Sequence, residues 1–373
     1  MPAEPGRLLY LALQDPHLPV NGTCLRGGEM LRRLSREFET DLVYMEGAGQ
    51  PPLPYGDETL KNLPDLRERV KVPFSPSAYF LFSRSFLAAA RKLLEERTHD
   101  FILCDYGICA LYGLILSREF GVRFIYGSHN LEYRGNLNKS REDLRRLPLA
   151  LYMYVVERLG VQRAKVVIAI TESDAQAYAR WADAGKIVVI PQGIDESIFN
   201  PYYEIPRNPQ KTVLFCGNFK SQFNRNAVAE VKLRVADYVV ARIPGVRFKF
   251  VGAYPPVHIE HPSFEYTGFA DDYVDQLKSA DVVISPIVQG QGFPTKIIEA
   301  LAVGKIVIST PVGARGVDSS LSSLRVRPLE AFPQAIVEAL MQGEAAPTGE
   351  FERIRAQYSW DTLVGGLVAR MRS

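Results

Sequence analysis

Cysteine is scarce in this chain, with four in 373 residues, and those four are scattered. Cys104 and Cys109 are separated by four residues, and no second pair at zinc-ligand spacing accompanies them. The other two are Cys24 and Cys216. The pattern argues against a structural zinc site and against a disulfide framework. We expect reduced, mostly buried thiols in a cytoplasmic protein.

Net charge and long apolar runs are also lacking. The 44 basic and 42 acidic residues leave a formal charge of +2, which gives no argument for nucleic acid as the main partner. The first apolar run, Leu8–Leu13, ends at Gln14 and is too short for a signal-peptide core or a membrane span. We expect a cytoplasmic protein, and if it meets a membrane, the contact is peripheral.

Short apolar runs instead alternate with helical patterns, which is typical of parallel βαβ architecture. The length fits two domains at roughly 100–200 residues each. The expected strands are Leu8–Leu13, Asp41–Met45, Phe101–Cys104, Arg123–Tyr126, Val166–Ala169, Ile187–Ile190, Thr212–Cys216, Arg247–Val251, Phe264–Tyr266, Val282–Pro286 and Ile306–Ser309. The expected helices include Gly28–Phe38, Phe86–Arg97, Ala227–Arg242, Val274–Ser279, Thr295–Ala302, Leu329–Met341 and Trp360–Met371.

Turn residues cluster from Pro191 to Gln210, where the periodicity stops, and this is the best domain boundary. The fold class is therefore α/β, with two doubly wound, Rossmann-like halves. Such sheets bind ligands outside the carboxyl ends of their strands. We expect the functional site in a cleft between the two halves.

The most informative segment runs from Gly290 to Lys305, where a glycine-bearing turn follows an apolar strand and opens a helix. The free N–H groups and positive dipole end of such a helix suit a diphosphate, although an ordinary βα turn is the alternative. Lys296 lies in the first turn, where a cation is unfavourable unless an anion joins it. Glu299 lies on the same face and can accept hydrogen bonds from two ribose hydroxyls.

This segment resembles the donor-site motif of glycosyltransferase family 4, a retaining family with the GT-B fold. Glu299 matches the second of the motif's two glutamates, and Gln291 replaces the first. The arrangement resembles the exopolysaccharide-type branch, which also lacks the first glutamate; Pro294 stands where that branch often has arginine. The resemblance implies donor contacts from Gly290, Gln291, Gly292, Phe293, Pro294, Thr295 and Glu299.

Further segments resemble the family in the same order along the chain. They are Thr171–Asp174, the interdomain signature Ile190–Asp195 with Phe199–Pro201, the domain-opening Phe215–Phe219, the loop Tyr266–Phe269 and the entry to the last helix, Tyr358–Asp361. The resemblance implies an acceptor-side domain at 1–198, a donor domain at 199–352, and a segment at 353–373 that returns to the first domain. It also implies that the loop at Phe269 touches the nucleotide base.

The cations that neutralise the diphosphate depart from the family pattern. Many members place an arginine and a lysine after the glycine equivalent to Gly217, where this chain has Asn218 and Phe223. Lys220 and Arg225, with Lys296, are the remaining candidates. The first two are equally compatible with solvated surface charges.

Two loops of the N-terminal half resemble family loops near the transferred sugar. The glycine-containing passage 19–28, with Gly22, resembles the first loop, and Arg26 would then face the cleft; a helix-face arginine is the alternative. Gly127–Glu132 resembles a histidine-bearing loop, which would place His129 by the sugar; a structural histidine is the alternative. Arg26, His129 and Lys296 form the expected catalytic set.

No metal site is expected, because no His/Asp/Cys cluster is present and Asp271-Asp272 fits helix capping better than metal binding. An aromatic run at 79–82 and the basic residues Arg141, Arg145 and Arg146 suit an anionic membrane. A packed aromatic cluster with solvated charges is the alternative.

The sequence thus predicts a retaining glycosyltransferase without metal or cofactor, acting on a UDP- or GDP-linked sugar. The acceptor would be a sugar, a glycan or a lipid-linked hydroxyl, and no nucleic acid is expected to bind. Two alternatives remain open: a nucleotide-sugar 2-epimerase on the same fold, and a non-catalytic nucleotide-sugar-binding module. Release of nucleoside diphosphate from the donor separates the transferase from the binding module.

Overall fold

A computed structural model describes residues 6–16, 22–45, 66–73, 82–141, 143–195, 210–270, 273–290, 293–343 and 346–373. Its contacts divide the chain into two compact units. The first comprises Met1–Gly193 and Trp360–Ser373, and the second comprises Ile194–Ser359. The boundaries expected from sequence, after residues 198 and 352, differ from these divisions by five and seven residues. The chain therefore contributes its last helix to the first unit.

The first unit contains a parallel sheet of seven described strands. They are β1 Gly6–Ala12, β2 Phe38–Met45, β3 Glu68–Val72, β4 Phe101–Asp105, β5 Arg123–Gly127, β6 Val166–Ala169 and β7 Ile187–Val189. Their order in the sheet is β3-β2-β1-β4-β5-β6-β7. Buried apolar side chains fill β1 and β4, as expected for strands covered on both faces. The order reverses between β1 and β4, which makes their carboxyl ends a topological switch point.

The helices of the first unit connect these strands. They are α1 Gly22–Glu37, α2 Arg84–Glu96, α3 Ala110–Phe120, α4 Glu132–Ser140, α5 Leu147–Arg163 and α6 Glu172–Tyr178, with α13 Trp360–Arg372 returning from the chain end. Trp360 and Leu367 are buried in the same core as the β1 side chains. A Cβ on Gly193 would lie 2.6 Å from the Trp360 ring, so this close approach requires glycine.

The second unit contains a parallel sheet of six described strands. They are β8 Thr212–Cys216, β9 Arg247–Val251, β10 Phe264–Thr267, β11 Val282–Ser285, β12 Ile306–Ser309 and β13 Leu324–Val326. Their order in the sheet is β10-β9-β8-β11-β12-β13, and the switch point lies between β8 and β11. The helices are α7 Gln222–Val231, α8 Asp237–Arg242, α9 Tyr273–Ser279, α10 Thr295–Ala302, α11 Phe332–Gln342 and α12 Thr348–Tyr358.

The structure departs from the sequence expectations in several elements. Strands β3 and β13 were not expected, and a π-helical turn at Lys232–Ala236 separates α7 from α8 within the single helix expected there. Helix α1 begins at Gly22, six residues before the predicted start, so most of the expected glycine-containing loop is helical. No helix among the described residues is long and apolar enough to cross a membrane.

Candidate active site

The glycine-bearing turn of the second unit leads from β11 into α10 at the carboxyl edge of the sheet. Gly290 has φ of 157°, outside the range that side-chain-bearing residues readily adopt. Pro294 precedes the helix, and its carbonyl accepts a hydrogen bond from the Ile297 N–H at 2.9 Å. The Thr295 N–H donates to the Phe293 carbonyl at 3.0 Å. Gln291 and Gly292, two expected donor contacts, lie outside the described residues.

Lys296, Glu299 and Tyr273 form one cluster at the start of α10. Lys296 Nζ lies 3.5 Å from Glu299 Oε2 and 4.0 Å from the centroid of the Tyr273 ring. The Tyr273 hydroxyl donates to the same carboxylate oxygen at 2.6 Å. We expected the Lys296 cation to lack compensation without a bound anion, and this argument is corrected: Glu299 and the ring already offset its charge.

A buried thiol and two glycines lie beside this cluster at the ends of β8 and β9. Burial raises the pKa of the Cys216 thiol to about 12, so the group is neutral near pH 7. The Gly217 N–H donates to the Val251 carbonyl at 3.0 Å. A Cβ on Gly252 would clash with the Gly217 carbonyl oxygen, so the two strand ends approach too closely for a side chain at this position.

Lys220 and Arg225, two expected phosphate contacts, differ in their surroundings at the turn after Gly217. Arg225 donates to the Phe219 carbonyl at 2.8 Å and to the Lys220 carbonyl at 2.7 Å, so its guanidinium holds the turn together. The exposed Lys220 instead places Nζ 5.9 Å from the centroid of the Tyr254 ring. Asn218 Oδ1 accepts from the Lys220 N–H at 3.0 Å and organises the same turn. Of the two cations, Lys220 is the one that extends from the turn.

Phe269 follows β10, at the loop expected to meet the nucleotide base. Its side chain is 38% exposed. The preceding backbone is fixed, because the Gly252 N–H donates to the carbonyls of Thr267 and Gly268, each at 3.1 Å. This leaves an aromatic side chain on a rigid loop at the same edge of the sheet as the α10 cluster.

His129 and Arg26 are brought together in the first unit by Asp105, which the sequence analysis did not single out. His129 Nε2 lies 2.8 Å from Asp105 Oδ1. The Arg26 guanidinium lies 4.0 Å from the same oxygen and donates to the Ser128 carbonyl at 3.2 Å and to the Ile190 carbonyl at 3.0 Å. All three charged or titratable side chains are buried.

The charge of Asp105 is set by these neighbours. Burial by itself raises the pKa of this carboxyl, but His129, Arg26 and the Tyr10 hydroxyl together outweigh it and hold the pKa below its ordinary value. An ionised carboxylate beside Nε2 favours a proton on that nitrogen, and their contact orients the imidazole. A Cβ on Gly27 would lie 2.3 Å from Asp105 Oδ2, so glycine is required where α1 passes this carboxylate.

The expectation that Arg26 faces a cleft is corrected by its burial. The side chain is 1% exposed and bonds to backbone carbonyls, because α1 starts early enough to place it inside the helix. Gly22 begins that helix rather than belonging to a loop. One sequence signal pointed to Asp105: it is an acid directly after the apolar run Phe101–Cys104, at a strand's carboxyl end.

Glu157 on α5 anchors the loop that carries His129. Its carboxylate accepts from the backbone N–H groups of Glu132 at 3.1 Å and Tyr133 at 2.8 Å, which open α4, and from the Tyr126 hydroxyl at 3.1 Å. Burial raises its pKa to about 7, against the opposing effect of these donors. No sequence pattern pointed to this residue, since it lies in an ordinary helical stretch.

Titratable side chains elsewhere do not gather into a metal site: among the described residues, no group of three His, Cys, Asp or Glu side chains could hold a metal ion. The four cysteines are buried thiols. Asp271 and Asp272 lie outside the described residues, as do Tyr79, Phe80 and Leu81 of the aromatic run, so their expected roles stay predictions.

Two family models match the chain, one to each half. Glycosyltransferase Family 4 matches residues 28–198, and Glycosyl transferases group 1 matches residues 210–342. The chain is 25% identical over 315 residues to a D-inositol 3-phosphate glycosyltransferase of Segniliparus rotundus, covering 75% of this chain and 67% of that protein. It is 29% identical over 161 residues to a phosphatidyl-myo-inositol mannosyltransferase of Mycobacterium tuberculosis, covering 40% and 42%.

Solved structures agree on the fold. Sucrose-phosphate synthase from Thermosynechococcus elongatus superposes with a TM-score of 0.69 at 18% identity, covering 98% of both chains. HepE of Anabaena, in complex with UDP and glucose, superposes with a TM-score of 0.67 at 15% identity, covering 99% of this chain and all of that one. The two parallel sheets, the two family models and these relatives together identify the chain as a family 4-like glycosyltransferase of the GT-B fold, an enzyme of sugar transfer.

Proposed function

We propose that the second unit binds a UDP- or GDP-linked sugar at the start of α10 and that the sugar is transferred with retention, without a metal. The observation that carries the proposal is the cluster of Lys296, Glu299 and Tyr273 beside the close approach of Gly217 and Gly252. HepE, which shares the fold, was solved with UDP and glucose. A helix start with an adjacent cation suits a diphosphate.

Each member of the α10 cluster has a distinct role in this proposal. Lys296 and the helix N–H groups neutralise the departing nucleoside diphosphate as its charge grows in the transition state. Glu299 accepts hydrogen bonds from the ribose hydroxyls, and Tyr273, which already donates to it, fixes the carboxylate's orientation. The acceptor hydroxyl loses its proton to the departing phosphate on the same face of the sugar.

His129 contacts the transferred sugar in this proposal, and Asp105 and Arg26 act through it as positioning residues. The support is their burial and the 2.8 Å contact between His129 Nε2 and Asp105 Oδ1. Arg26 neutralises the carboxylate and braces the loop through the Ser128 carbonyl. A fixed imidazole costs little reorganisation when the substrate binds.

Gln291 takes the place of the glutamate that usually contacts the sugar, and we propose that it does so as an amide. An amide both donates and accepts, whereas a carboxylate only accepts. Gln291→Glu should therefore change donor-sugar preference while nucleotide affinity stays nearly constant. The check is a panel of donor sugars; unchanged rates and preferences in Gln291→Ala would show that the side chain is idle.

The donor is identified by thermal unfolding with UDP, GDP and their sugars, since a ligand that binds the folded state raises the melting temperature. We expect one nucleotide series to stabilise the wild type and to stabilise Glu299→Ala less. Nucleoside diphosphate release with an acceptor then tests transfer. Stabilisation without release would indicate a binding module, and an epimerised sugar product would indicate an isomerase. Stabilisation by neither series would contradict the donor site.

We also propose an acceptor presented at a membrane surface by the first unit. The support is the exposed Arg141, Arg145 and Arg146 and the relatives named for inositol phosphate and phosphatidyl-myo-inositol. Binding to anionic vesicles should weaken with salt, because exposed charges are screened. Sedimentation with vesicles is the measurement. Wild-type protein that stays in the supernatant at low salt would favour a water-soluble acceptor.

A further inference from the structure

Helix α5 carries a row of exposed aliphatic side chains. Leu147, Leu151, Val155 and Leu159 recur every fourth residue, so they share one face of the helix. With Leu144 just before the helix, their exposed fractions range from 38% to 78%. We name these five residues the aliphatic stripe. Scattered exposed leucines are ordinary, but a continuous row of this length marks a contact surface.

The stripe is not a misplaced part of the core. The opposite face of α5 already supplies Met153, Val156, Gly160 and Val161 to the interior. Glu157 on that face is bonded to the backbone N–H groups that open α4. The helix is therefore held by its inner face, and among the described residues its outer aliphatic side chains belong to no buried core cluster.

Basic residues surround the stripe. Residues 134–163 contain seven basic and three acidic residues, a local charge of +4, whereas the whole chain carries +2. Exposed arginines lie at both ends of the helix: Arg145 and Arg146 precede it, and Arg158 and Arg163 are in its last turns. The surface thus combines an apolar row with positive charge along its length.

We infer that the aliphatic stripe docks α5 onto an anionic lipid bilayer, lying in the plane of the interface. This rests on the proposed membrane acceptor and assigns its surface. Aliphatic side chains enter the acyl boundary while arginines stay at the headgroups, which is how interfacial helices bind. A second copy of the chain fits worse, because a symmetric pairing of α5 sets arginine against arginine in either helix direction.

Docking through α5 also fixes the catalytic loop relative to the lipids. Glu157 joins the inner face of the helix to the start of α4, directly after the loop that carries His129. Because the stripe and this anchor lie on one rigid helix, the distance from the bilayer to the His129 loop is set by the fold. The His129 loop would then meet a lipid-linked hydroxyl at a constant distance from the bilayer.

The test compares two variants with the full-length wild type on vesicles of equal parts phosphatidylglycerol and phosphatidylcholine. Leu147→Gln/Leu151→Gln/Val155→Gln removes the apolar row with good helix formers. Arg145→Glu/Arg146→Glu reverses the charge. Leu233→Gln/Met341→Gln is the matched control, since both side chains are highly exposed in the other unit. Co-sedimentation is measured at low and high salt.

We expect the triple glutamine variant to bind vesicles at least about tenfold more weakly at both salt concentrations, because apolar burial is lost. The charge reversal should weaken binding by about fivefold or more per arginine, chiefly at low salt. The control should bind as the wild type does. Melting temperature and donor-nucleotide binding should be unchanged in all three, which shows that fold and donor site survive.

Other outcomes would overturn the inference in distinguishable ways. Undiminished vesicle binding by the triple variant would place the membrane surface elsewhere while leaving the membrane acceptor standing. A wild type that binds no vesicle would contradict both the docking surface on α5 and the membrane acceptor. A wild-type dimer that becomes monomeric in the triple variant, seen by sedimentation velocity, would assign the stripe to a second copy.

Discussion

The polar clusters of the two units differ in how much water reaches them. His129, Asp105 and Arg26 in the first unit are all buried, and each is bonded within that unit. In the second unit the Lys296 side chain is 52% exposed beside Glu299. A buried ionic cluster is fixed by the fold before any ligand arrives, whereas an exposed one gains its full strength only when a ligand excludes water.

The difference in burial predicts that substitutions in the two clusters affect the stability of the fold differently. Removing one partner of a buried ion pair leaves an uncompensated charge in the interior. Exposed pairs contribute little to stability, so their removal is felt mainly when substrate binds. Substitutions in the first cluster should therefore lower the free energy of unfolding as well as impair the reaction, while substitutions in the second should leave the fold intact and impair the reaction alone.

Asp105→Ala should give the largest effect on stability. It leaves Arg26 buried without a carboxylate, and the free energy of unfolding should fall by about 3–5 kcal/mol. Asp105→Asn keeps an acceptor for His129 and should cost less. Urea unfolding is the measurement, with Asp143→Ala as control, because that exposed acid pairs with Arg146 at 3.7 Å. Equal losses for Asp105→Ala and the control would contradict the buried cluster's role.

Lys296→Met should reduce turnover by roughly 10²–10³-fold, the cost typical of removing one group that stabilises transition-state charge. Donor affinity should change less, since the diphosphate charge develops during the reaction. Unfolding should shift by less than about 0.5 kcal/mol, as for other surface sites. Steady-state kinetics provide the comparison, with the exposed Lys232→Met as control. Wild-type turnover in Lys296→Met would remove it from the mechanism.

Glu299→Ala should weaken nucleotide binding by about 1.5–3 kcal/mol, at least tenfold, because charge-assisted hydrogen bonds to the ribose are lost. The fold should survive, since Lys296, which pairs with this carboxylate, is 52% exposed and stays solvated without it. Calorimetric titration with the nucleoside diphosphate gives the affinity directly. Unchanged binding would contradict the proposed hydrogen bonds between Glu299 and the ribose.

The sequence predicted the parts of the fold that depend on continuous apolar runs. Strands Val166–Ala169 and Thr212–Cys216 agree with the expected bounds, because every residue in them is buried. Strand Glu68–Val72 was missed because three of the five residues in this edge strand are charged and interrupt its apolar pattern. Edge strands commonly carry such charges, which block pairing with other chains.

The candidate site was predictable where a residue's neighbours lie close in sequence. Lys296 and Glu299 are three apart on one helix, and their contact follows from helical geometry. Arg26 and Asp105 meet only because α1 packs over the end of β4, which no local pattern reveals. Arg26 was therefore expected to face the cleft, and Asp105 was not singled out.

Tyr273→Phe should give the smallest effect and most sharply tests the second cluster. It removes the hydroxyl that donates to Glu299 Oε2 at 2.6 Å but keeps the ring 4.0 Å from Lys296 Nζ. Glu299 keeps its charge and loses only its orientation, so nucleotide affinity should fall by about 0.5–1.5 kcal/mol, the worth of one hydrogen bond. Tyr273→Leu also removes the ring face and should lower turnover further through Lys296. Calorimetry and kinetics on both variants separate the two contributions. If Tyr273→Phe loses as much affinity as Glu299→Ala, the hydroxyl itself contacts the nucleotide, and Glu299 is the group that positions it.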